Sequence, residues 1–327
     1  MHNKKPPFEI TNDILATITE IAELIGQVTA TQGLSASPTL RRTNRIRTIY
    51  SSLAIEQNTL SLEQVTAVLN GKRVLAPPKD ITEVKNAYEI YDMMDMLNPY
   101  SANDLLNAHG VMTKDLVEEA GCFRSGPVGV VDKHGTVLHI GTLPQYVPGL
   151  VADLLDWAQN SDIHMLIKSC VFHYEFELIH PFADGNGRIG RLWHTLLLTQ
   201  WKPLFAWLPV ESIIHDRQDE YYRAINQSNY DGESTAFIRF MLSAIKEALL
   251  EAIETADATE NMHTPELRVY KIEQFLQKHE AITNVDVRQM LNVSSATAYR
   301  ILSKLVDEGK IHKIRIGKSW GYVLDKN

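Results

Sequence analysis

The stretch that decides the fold runs from His180 to Arg191 and reads His-Pro-Phe-Ala-Asp-Gly-Asn-Gly-Arg-Ile-Gly-Arg. An apolar segment, residues 163–179, precedes it, and a second one, residues 193–200, follows it. Because Pro181 disfavours helical backbone at the residue before it, we predict that the first segment is a helix ending at an extended His180. A second helix is predicted to begin near Asn186. Two core helices joined by a polar, glycine-rich turn are therefore the predicted centre of the chain.

The turn carries groups suited to binding a polyphosphate. Gly185 and Gly187 permit backbone angles that other residues avoid, so successive N–H groups can face one anion. The N-terminal end of the second helix adds positive potential at the same place. Arg188 and Arg191 are three residues apart and would share one helix face. Asp184 offers a carboxylate for a divalent cation. With the histidine that opens the stretch as a base, this pattern predicts an active site for chemistry on a nucleotide.

At these residues the sequence resembles the Fic family, whose signature is His-Pro-Phe-x-(Asp/Glu)-Gly-Asn-Gly-Arg-x-x-Arg, and every fixed position is filled. The resemblance implies a mainly α fold, a Fic-type helical bundle with a β-hairpin flap. It also implies transfer of AMP from ATP to a protein hydroxyl, with ATP and Mg²⁺ as cofactors. His180 would act as the general base, and Asn186 with the two glycine amides would stabilise charge at the α-phosphorus. Asp184 would hold Mg²⁺, while Arg188 and Arg191 would fix the β- and γ-phosphates.

Residues 52–58, Ser-Leu-Ala-Ile-Glu-Gln-Asn, form a second pattern at the end of a helix predicted from residue 39 or 40. Ser52 and Glu56 are four apart and therefore lie on one helix face. The segment resembles the inhibitory motif of Fic proteins, (Ser/Thr)-x-x-x-Glu-(Gly/Asn), from which Gln57 departs. In that family the glutamate pairs with the second motif arginine, here Arg191. A carboxylate there would occupy donors that a γ-phosphate needs, so the resemblance implies autoinhibition by Glu56.

Two further features complete the predicted site. Residues 123–140 contain β-rich runs around Asp-Lys-His-Gly at 132–135, which predicts a hairpin. By resemblance this hairpin is the flap that holds the target protein through strand addition. Tyr222 and Asn229 lie on one face of a helix predicted over residues 219–229. The resemblance places them in the adenine pocket, whereas their spacing alone is more typical of a core stripe. His109 is interpreted as a structural histidine.

The remaining pattern divides the chain into parts. We predict an N-terminal helical region with the inhibitory motif at 1–100, a catalytic core at 101–256, a linker at 257–264 and a further domain at 265–327. Three helices and a hairpin in the last part resemble a winged helix-turn-helix domain. That part holds eleven Lys/Arg against seven Asp/Glu, although the whole chain has a net charge of −8. The local excess of positive charge favours binding of duplex DNA through residues 294–318, with a protein-binding module as the alternative.

Composition excludes several classes of protein. No window of 18 residues is both apolar and free of charged residues, so no membrane span or membrane partner is expected. The N-terminus lacks an apolar segment after its basic residues, which argues against a secretory signal. Cys122 and Cys170 have no CxxC spacing and are expected to be reduced thiols. We therefore predict a cytoplasmic protein, and the sequence leaves open whether it is a homodimer.

Four functions remain open at this stage. The first is a self-restrained protein adenylyltransferase, and the second is the same site removing AMP, with Glu56 orienting water. The third is transfer of another moiety, such as a phosphate from a flipped nucleotide. The fourth is a DNA-binding regulator whose Fic-like domain senses nucleotide. His180 argues against the fourth because sensing alone needs no base, and Arg191 favours ordinary triphosphate placement over the third.

Overall fold

The fold is taken from a computed structural model of the chain, which describes residues 5–30, 38–131, 137–262, 265–291, 293–316 and 319–324. The chain divides into two compact units, residues 1–253 and 254–327. Both are mainly α-helical, which confirms the predicted fold class. Across the described ranges no helix is long and apolar enough to cross a membrane.

Helices build the first unit. They are α1 (Asn12–Ala30), α2 (Pro38–Ile55), α3 (Leu62–Leu69), α4 (Pro78–Asp92), α5 (Ala102–Met112), α6 (Val147–Asn160), α7 (Met165–Ile179), α8 (Asn186–Trp201), α9 (Val210–Asp216), α10 (Gln218–Asp231) and α11 (Thr235–Met262). Short 3₁₀ helices at Met94–Met96, Pro144–Tyr146 and Pro203–Trp207 connect some of them. Helix α11 extends beyond the boundary of the unit.

Helix α7 lies at the centre of the first unit because apolar residues are spread around all its sides, which is typical of a buried helix. One side, including Ile167 and Val171, packs into a cluster with α1, α9, α10 and α11. The other side, including Phe172 and Phe176, packs into a cluster with α2 to α6. Helix α8 packs along α7 and contributes to both clusters. The turn between α7 and α8 is therefore anchored in two cores.

The predicted hairpin is present as two short antiparallel strands, β1 (Gly129–Val131) and β2 (Val137–Ile140). Gly129 pairs with Ile140, and the register shifts between Val130 and Val131. The predicted turn at 132–135 lies outside the described residues. Among the described strands, β1 and β2 pair only with each other. A two-stranded sheet of this kind offers main-chain groups to an added strand.

The second unit has the element order of a winged helix. It contains α12 (Pro265–Lys278), β3 (Ile282–Thr283), α13 (Asn284–Leu291), α14 (Ser295–Asp307), β4 (Ile311–Ile316) and β5 (Ser319–Leu324). The strands form an antiparallel sheet in the order β3-β5-β4. Ser294 caps α14 by accepting a hydrogen bond from the Thr297 N–H, which fixes the start of that helix.

The predicted linker at 257–264 differs from the structure. Helix α11 continues through Met262, so most of that segment is helical. The predicted linker has no apolar periodicity, so a helix there would have no apolar face with which to pack. The lack of such a face does not prevent an existing helix from continuing, because adding a residue to a helix is far easier than nucleating one. The domain boundaries drawn from the sequence stay a prediction.

Candidate active site

The site begins where α7 ends at His180. His180 has φ 50° and ψ 64°, the left-handed conformation, and its N–H donates to Phe176 O at 2.9 Å. The prediction of an extended His180 is therefore wrong, because the closing turn of α7 sets the conformation of its C-cap. A left-handed residue other than glycine costs about 1–2 kcal/mol, and such strain persists only where surrounding contacts hold it.

Arg124 provides those contacts. Its Nε donates to His180 O at 2.7 Å, and its main-chain N–H donates to Pro181 O at 3.0 Å. The same guanidinium donates to Gly126 O at 2.9 Å and to Thr142 O, on the two sides of the hairpin. Arg124 is 3% exposed, and burial lowers the pKa of its guanidinium. It thus ties the base of the hairpin to the histidine. The sequence does not mark Arg124 as functional, because an arginine at the start of a predicted strand carries no distinguishing pattern.

His109 supports the turn from the other side. Its ring stacks on Phe182 with 3.7 Å between ring centroids. Nδ1 accepts a hydrogen bond from the Gly121 N–H at 3.0 Å, and Nε2 lies 3.0 Å from Asp184 O. Since Nδ1 accepts, Nε2 carries the proton and donates to Asp184 O. Burial lowers the pKa of His109, which keeps the ring neutral. These contacts agree with its interpretation as a structural histidine.

Asn186 shapes the turn with its side chain. Its Oδ1 accepts from the Phe182 N–H at 2.8 Å, and its Nδ2 donates to Phe182 O at 2.9 Å. The residue is 2% exposed. The turn thus engages both polar atoms of this amide, and the predicted role of Asn186 in stabilising charge at the α-phosphorus stays a prediction. The groups at the start of α8 that can face an anion are main-chain N–H groups.

The two glycines of the turn serve different purposes. Gly185 has φ 85°, a conformation that glycine adopts without strain, and it caps the start of α8. Gly187 lies within the first turn of α8 and has no unusual φ, contrary to the expectation. A Cβ on Gly187 would collide with Glu56 Oε1 and would lie 3.0 Å from Arg191 Nη1. Glycine at 187 is thus needed for space, since the Glu56 carboxylate rests on it.

Arg191 is held by both residues of the N-terminal pattern. Its Nε donates to Ser52 Oγ at 3.0 Å, and its Nη2 donates to Ser52 O at 2.9 Å and to Glu56 Oε1 at 2.8 Å. The Arg191 side chain is 1% exposed, that of Glu56 36%. Burial is the largest single influence and lowers the pKa of Arg191, but the Glu56 carboxylate together with Tyr221 and Tyr222 outweighs it, and the pKa is raised. Helix α2 ends at Ile55, so Glu56 lies in the turn after the helix, and Gln57 is left-handed at φ 68°.

Arg188 is neutralised by two carboxylates. Its Nη2 lies 3.1 Å from Asp184 Oδ1, and its Nη1 lies 3.4 Å from Glu83 Oε1. Glu83 also accepts a hydrogen bond from Asn58 Nδ2 at 2.7 Å. Glu83, which the sequence analysis missed, therefore links the segment after the inhibitory pattern to the motif. Nothing in its sequence neighbourhood distinguishes it from an ordinary helix-surface glutamate.

Asp184 projects from the turn with its side chain half exposed. Oδ1 accepts from the Gly185 N–H at 2.6 Å and faces Arg188. The described part of the chain contains no group of three or more His, Cys, Asp or Glu placed to hold a metal ion. One exposed carboxylate beside an anion-binding helix start fits a Mg²⁺ that is carried mainly by phosphate oxygens and water.

Tyr222 and Asn229, the two residues predicted to form the adenine pocket, have different neighbours. Tyr222 packs against the first core cluster, with its ring 5.3 Å from that of Tyr221. Asn229 Oδ1 accepts from Tyr174 Oη at 2.9 Å and lines a cavity of about 660 Å³ that Tyr222 does not line. The adenine pocket therefore stays a prediction.

The second unit presents an exposed polar face on α14. Tyr299 and Arg300 are exposed there, next to a groove of about 970 Å³ between α14 and the strands. Across the groove, Lys313 Nζ lies 4.2 Å from the centre of the half-exposed Trp320 ring. Residues 317–318 of the predicted DNA surface lie outside the described residues.

Comparisons with known proteins decide the family. The model of the Fic/DOC family matches residues 99–198. A crystal structure of a Fic family protein from Desulfovibrio desulfuricans G20 is 42% identical, with a TM-score of 0.80 and 99% of each chain covered. The chain belongs to the Fic family. A model for winged helix-turn-helix DNA-binding domains also matches this Fic protein, at residues 270–312.

Curated relatives of this Fic protein carry an activity in their names. Protein adenylyltransferase fic-1 from Caenorhabditis briggsae is 31% identical over 208 residues, and protein adenylyltransferase Fic from Nematostella vectensis is 30% identical over 208 residues. Each match covers 59% of this chain but only 38% and 45% of the relatives. The chain thus spans less than half the length of these two relatives.

Proposed function

We propose that this Fic protein transfers AMP from ATP to a hydroxyl side chain of a target protein or of itself, and that Glu56 restrains the reaction. The observation that carries the proposal is the hydrogen-bonded ion pair of Glu56 with Arg191, at 2.8 Å, inside a complete motif loop. A pure binding module has no need of a base at the rim of an anion site. Names of relatives add support for the same chemistry.

In the proposed reaction, His180 accepts the proton of the attacking hydroxyl. Its Nδ1 lies 3.3 Å from Glu177 O, an acceptor that favours a proton on Nδ1 and leaves Nε2 as the base. The side chain is 19% exposed, so a hydroxyl can reach it. Strand addition of the target to the hairpin, residues 123–140, would bring that hydroxyl to His180.

The phosphates of ATP would bind at the start of α8. Main-chain N–H groups there, together with Arg188 and Arg191, supply fixed positive charge in a buried setting, where such charge is most effective. Bound through Asp184 and the phosphates, Mg²⁺ would neutralise charge on the triphosphate. Arg191 would fix the γ-phosphate so that the α-phosphorus lies in line with the hydroxyl. While Glu56 holds Arg191, that placement is blocked.

The test is incubation with α-labelled ATP and Mg²⁺, followed by mass spectrometry of the protein and of candidate targets. Wild type should acquire AMP on a hydroxyl, and His180→Ala should acquire none while still binding ATP. Label from γ-labelled ATP in place of α-labelled ATP would show phosphate transfer and reject the proposal. Loss of AMP from a pre-modified protein, with no forward transfer in any variant, would assign the removal reaction instead.

A second function is favoured by the C-terminal unit. We infer that it binds duplex DNA, because the winged-helix match includes α13 and α14 and because α14 exposes Arg300 beside its N-terminal turn. The groove lined by Lys313 and Trp320 adds a cation and an aromatic ring to the same face. Binding of labelled duplexes of varied sequence, compared with a random duplex, tests this inference.

A further inference from the structure

Glu177 is a largely buried residue behind the motif loop, and the proposed reaction does not use its carboxylate. It lies on the last turn of α7, three residues before His180, and its side chain is 14% exposed. In the described part of the chain, its Oε1 is buried and has no hydrogen-bond partner. An ionised carboxylate in such a position is costly unless donors compensate it.

Two imidazoles lie near the Glu177 carboxylate. His173 Nε2 lies 3.9 Å from Oε1, and His180 Nδ1 lies 3.9 Å from Oε2. Burial keeps the pKa of His173 well below its usual value, so that ring is neutral. Tyr221 Oη, rather than the carboxylate, is in hydrogen-bond contact with His173 Nε2 at 3.2 Å. Glu177 therefore lacks the compensation that would favour its ionised form.

Glu56 and Glu177 approach the same face of α8 one turn apart. The carboxylate of Glu56 rests on Gly187, and Glu177 Oε1 lies 2.8 Å from the position that a Cβ would take on Gly190. Arg191 follows directly on this face and is the cation that both carboxylates share. Two glycines thus admit two carboxylates beside one guanidinium, and only Glu56 is hydrogen-bonded to it.

Burial and the negative charge of Glu56 raise the pKa of Glu177 to about 8, although Arg191 acts in the opposite direction. Among the described residues, the titratable or charged groups that face Glu177 are Glu56 from the end of α2, Arg191 from α8, Tyr221 and Tyr222 from α10, and His173 and His180 from α7 and its end. Glu56 is the negative charge among them at neutral pH.

We propose that Glu177 is a second regulatory residue of the site, and that Glu56 holds Arg191 more tightly while the Glu177 carboxyl is protonated. The proposal rests on the proposed function, since it concerns the restraint on that reaction. An ionised Glu177 places a second negative charge beside the Glu56 carboxylate and offers Arg191 a competing partner. The inhibitory contact is then weakened from inside the protein, with no ligand bound.

The direction of the effect follows from linkage. Glu56 at Arg191 makes Glu177 hold its proton more tightly, so loss of that proton must weaken the Glu56–Arg191 contact by the same factor. Raising the pH through the Glu177 pKa therefore favours release of Glu56. We expect inhibition to fall by about tenfold, a typical size for coupling between adjacent charges.

The experiment compares AMP transfer from α-labelled ATP in wild type and Glu56→Gly between about pH 6.5 and about pH 9. At each pH, the rate of Glu56→Gly divided by the rate of wild type measures the inhibition by Glu56. Taking this ratio cancels the pH dependence of the chemistry. The ratio should fall about tenfold on the alkaline side. Glu177→Gln mimics the protonated acid, so the ratio measured within that background should stay high at every pH. Glu175→Gln removes a carboxylate from the same helix and should keep the wild-type behaviour.

Infrared titration of the buried carboxylic acid gives a readout without transferase activity. Its C=O band should be present at neutral pH, disappear on the alkaline side, be absent in Glu177→Gln and titrate at lower pH in Glu56→Gly. If no variant transfers AMP, the proposed function fails, and this titration alone decides the inference. A band that titrates identically with and without Glu56 overturns it, as does a Glu177→Gln ratio that falls with pH like wild type.

Discussion

The motif loop and the exposed face of α14 both present arginines, but in opposite settings. Arg188 and Arg191 are 2% and 1% exposed, and each is fixed by carboxylates from other helices. Arg300 is exposed and contacts Thr297 Oγ1 on its own helix at 3.3 Å. The buried arginines therefore have one geometry each, whereas Arg300 can adapt to a ligand. The motif loop therefore holds its arginines in the fixed positions that a defined reaction requires, whereas the face of α14 offers an adaptable positive charge.

The same difference predicts how each region responds to substitution. Removing one partner of a buried charge leaves the other uncompensated, so effects in the loop should be large and specific. Contacts between exposed groups are screened by solvent and salt, so effects on α14 should be small and depend on ionic strength.

The largest effect is expected at Glu56. Glu56→Gly should raise AMP transfer, including self-labelling, by about tenfold or more, because a charged hydrogen bond worth about 1.5–3 kcal/mol no longer holds Arg191. Glu56 lies after the end of α2, so glycine there costs little helix stability. Initial rates with α-labelled ATP measure the change.

Glu56→Gln separates loss of charge from loss of the side chain. If both variants are activated, the ion pair is the restraint. Activation by glycine alone would mean that the bulk of the side chain over Gly187 blocks the site. A transfer rate unchanged in both variants would contradict autoinhibition by Glu56.

A smaller effect is expected at a buried group without partners. Both ring nitrogens of His194 lack a hydrogen bond within the described structure, and burial lowers its pKa to about 3. The unfolded chain binds a proton at His194 below about pH 6.5 and the folded chain does not, so this residue destabilises the fold as pH falls. His194→Leu should therefore gain about 1 kcal/mol in unfolding free energy over wild type between about pH 6.5 and about pH 5.5.

Urea denaturation at the two pH values measures the gain, with His173→Leu as the matched control. Burial also lowers the pKa of His173, so His173→Leu should show a similar gain as pH falls, but from a lower starting stability because the contact with Tyr221 Oη is lost. A constant difference between His194→Leu and wild type across the pH range would mean that His194 binds a proton equally well in the folded and the unfolded chain.

The residue after Glu56 should respond to a change of backbone preference. Gln57 has φ 68°, so Gln57→Gly should stabilise the protein by about 1 kcal/mol by relieving left-handed strain. Gln57→Ala removes the same side chain without that relief and should bring no gain. Thermal unfolding of the three proteins checks this. An equal gain in both variants would assign the effect to the glutamine side chain.

How much the sequence could predict depends on the range of the interactions. The helices around the motif follow from apolar periodicity, and the start of α8 at Asn186 follows from the glycine-rich turn before it. The pairing of Glu56 with Arg191 was expected only through the resemblance to a family, since the two residues are 135 positions apart.

Contacts between distant segments account for what the sequence could not predict. Arg124 and Glu83 carry no local pattern, yet one holds His180 and the other neutralises Arg188. The conformation of His180 was predicted wrongly because the rule for residues before proline is local, whereas its strain is sustained by Arg124 from another segment. The sequence suggests that glycine at 187 allows an unusual backbone angle. In the structure, glycine is needed there because a carboxylate at the end of α2 occupies the space of a side chain.

The smallest effect is expected on α14. If the second unit binds duplex DNA, the logarithm of affinity should fall linearly with the logarithm of salt concentration, by about 0.9 per phosphate contact. Arg300→Ala should weaken binding a few-fold and reduce that slope by about one contact, because Arg300 is exposed and its loss leaves no buried charge behind. Arg223→Ala removes an exposed arginine from α10 in the first unit and should change neither quantity. Fluorescence anisotropy with a labelled duplex at several salt concentrations gives both values.

A weakening that is the same at every salt concentration would mean that Arg300 acts through something other than a phosphate. Binding that does not depend on salt at all would assign the second unit to protein partners. The comparison with the buried arginines would then no longer include a DNA-binding surface.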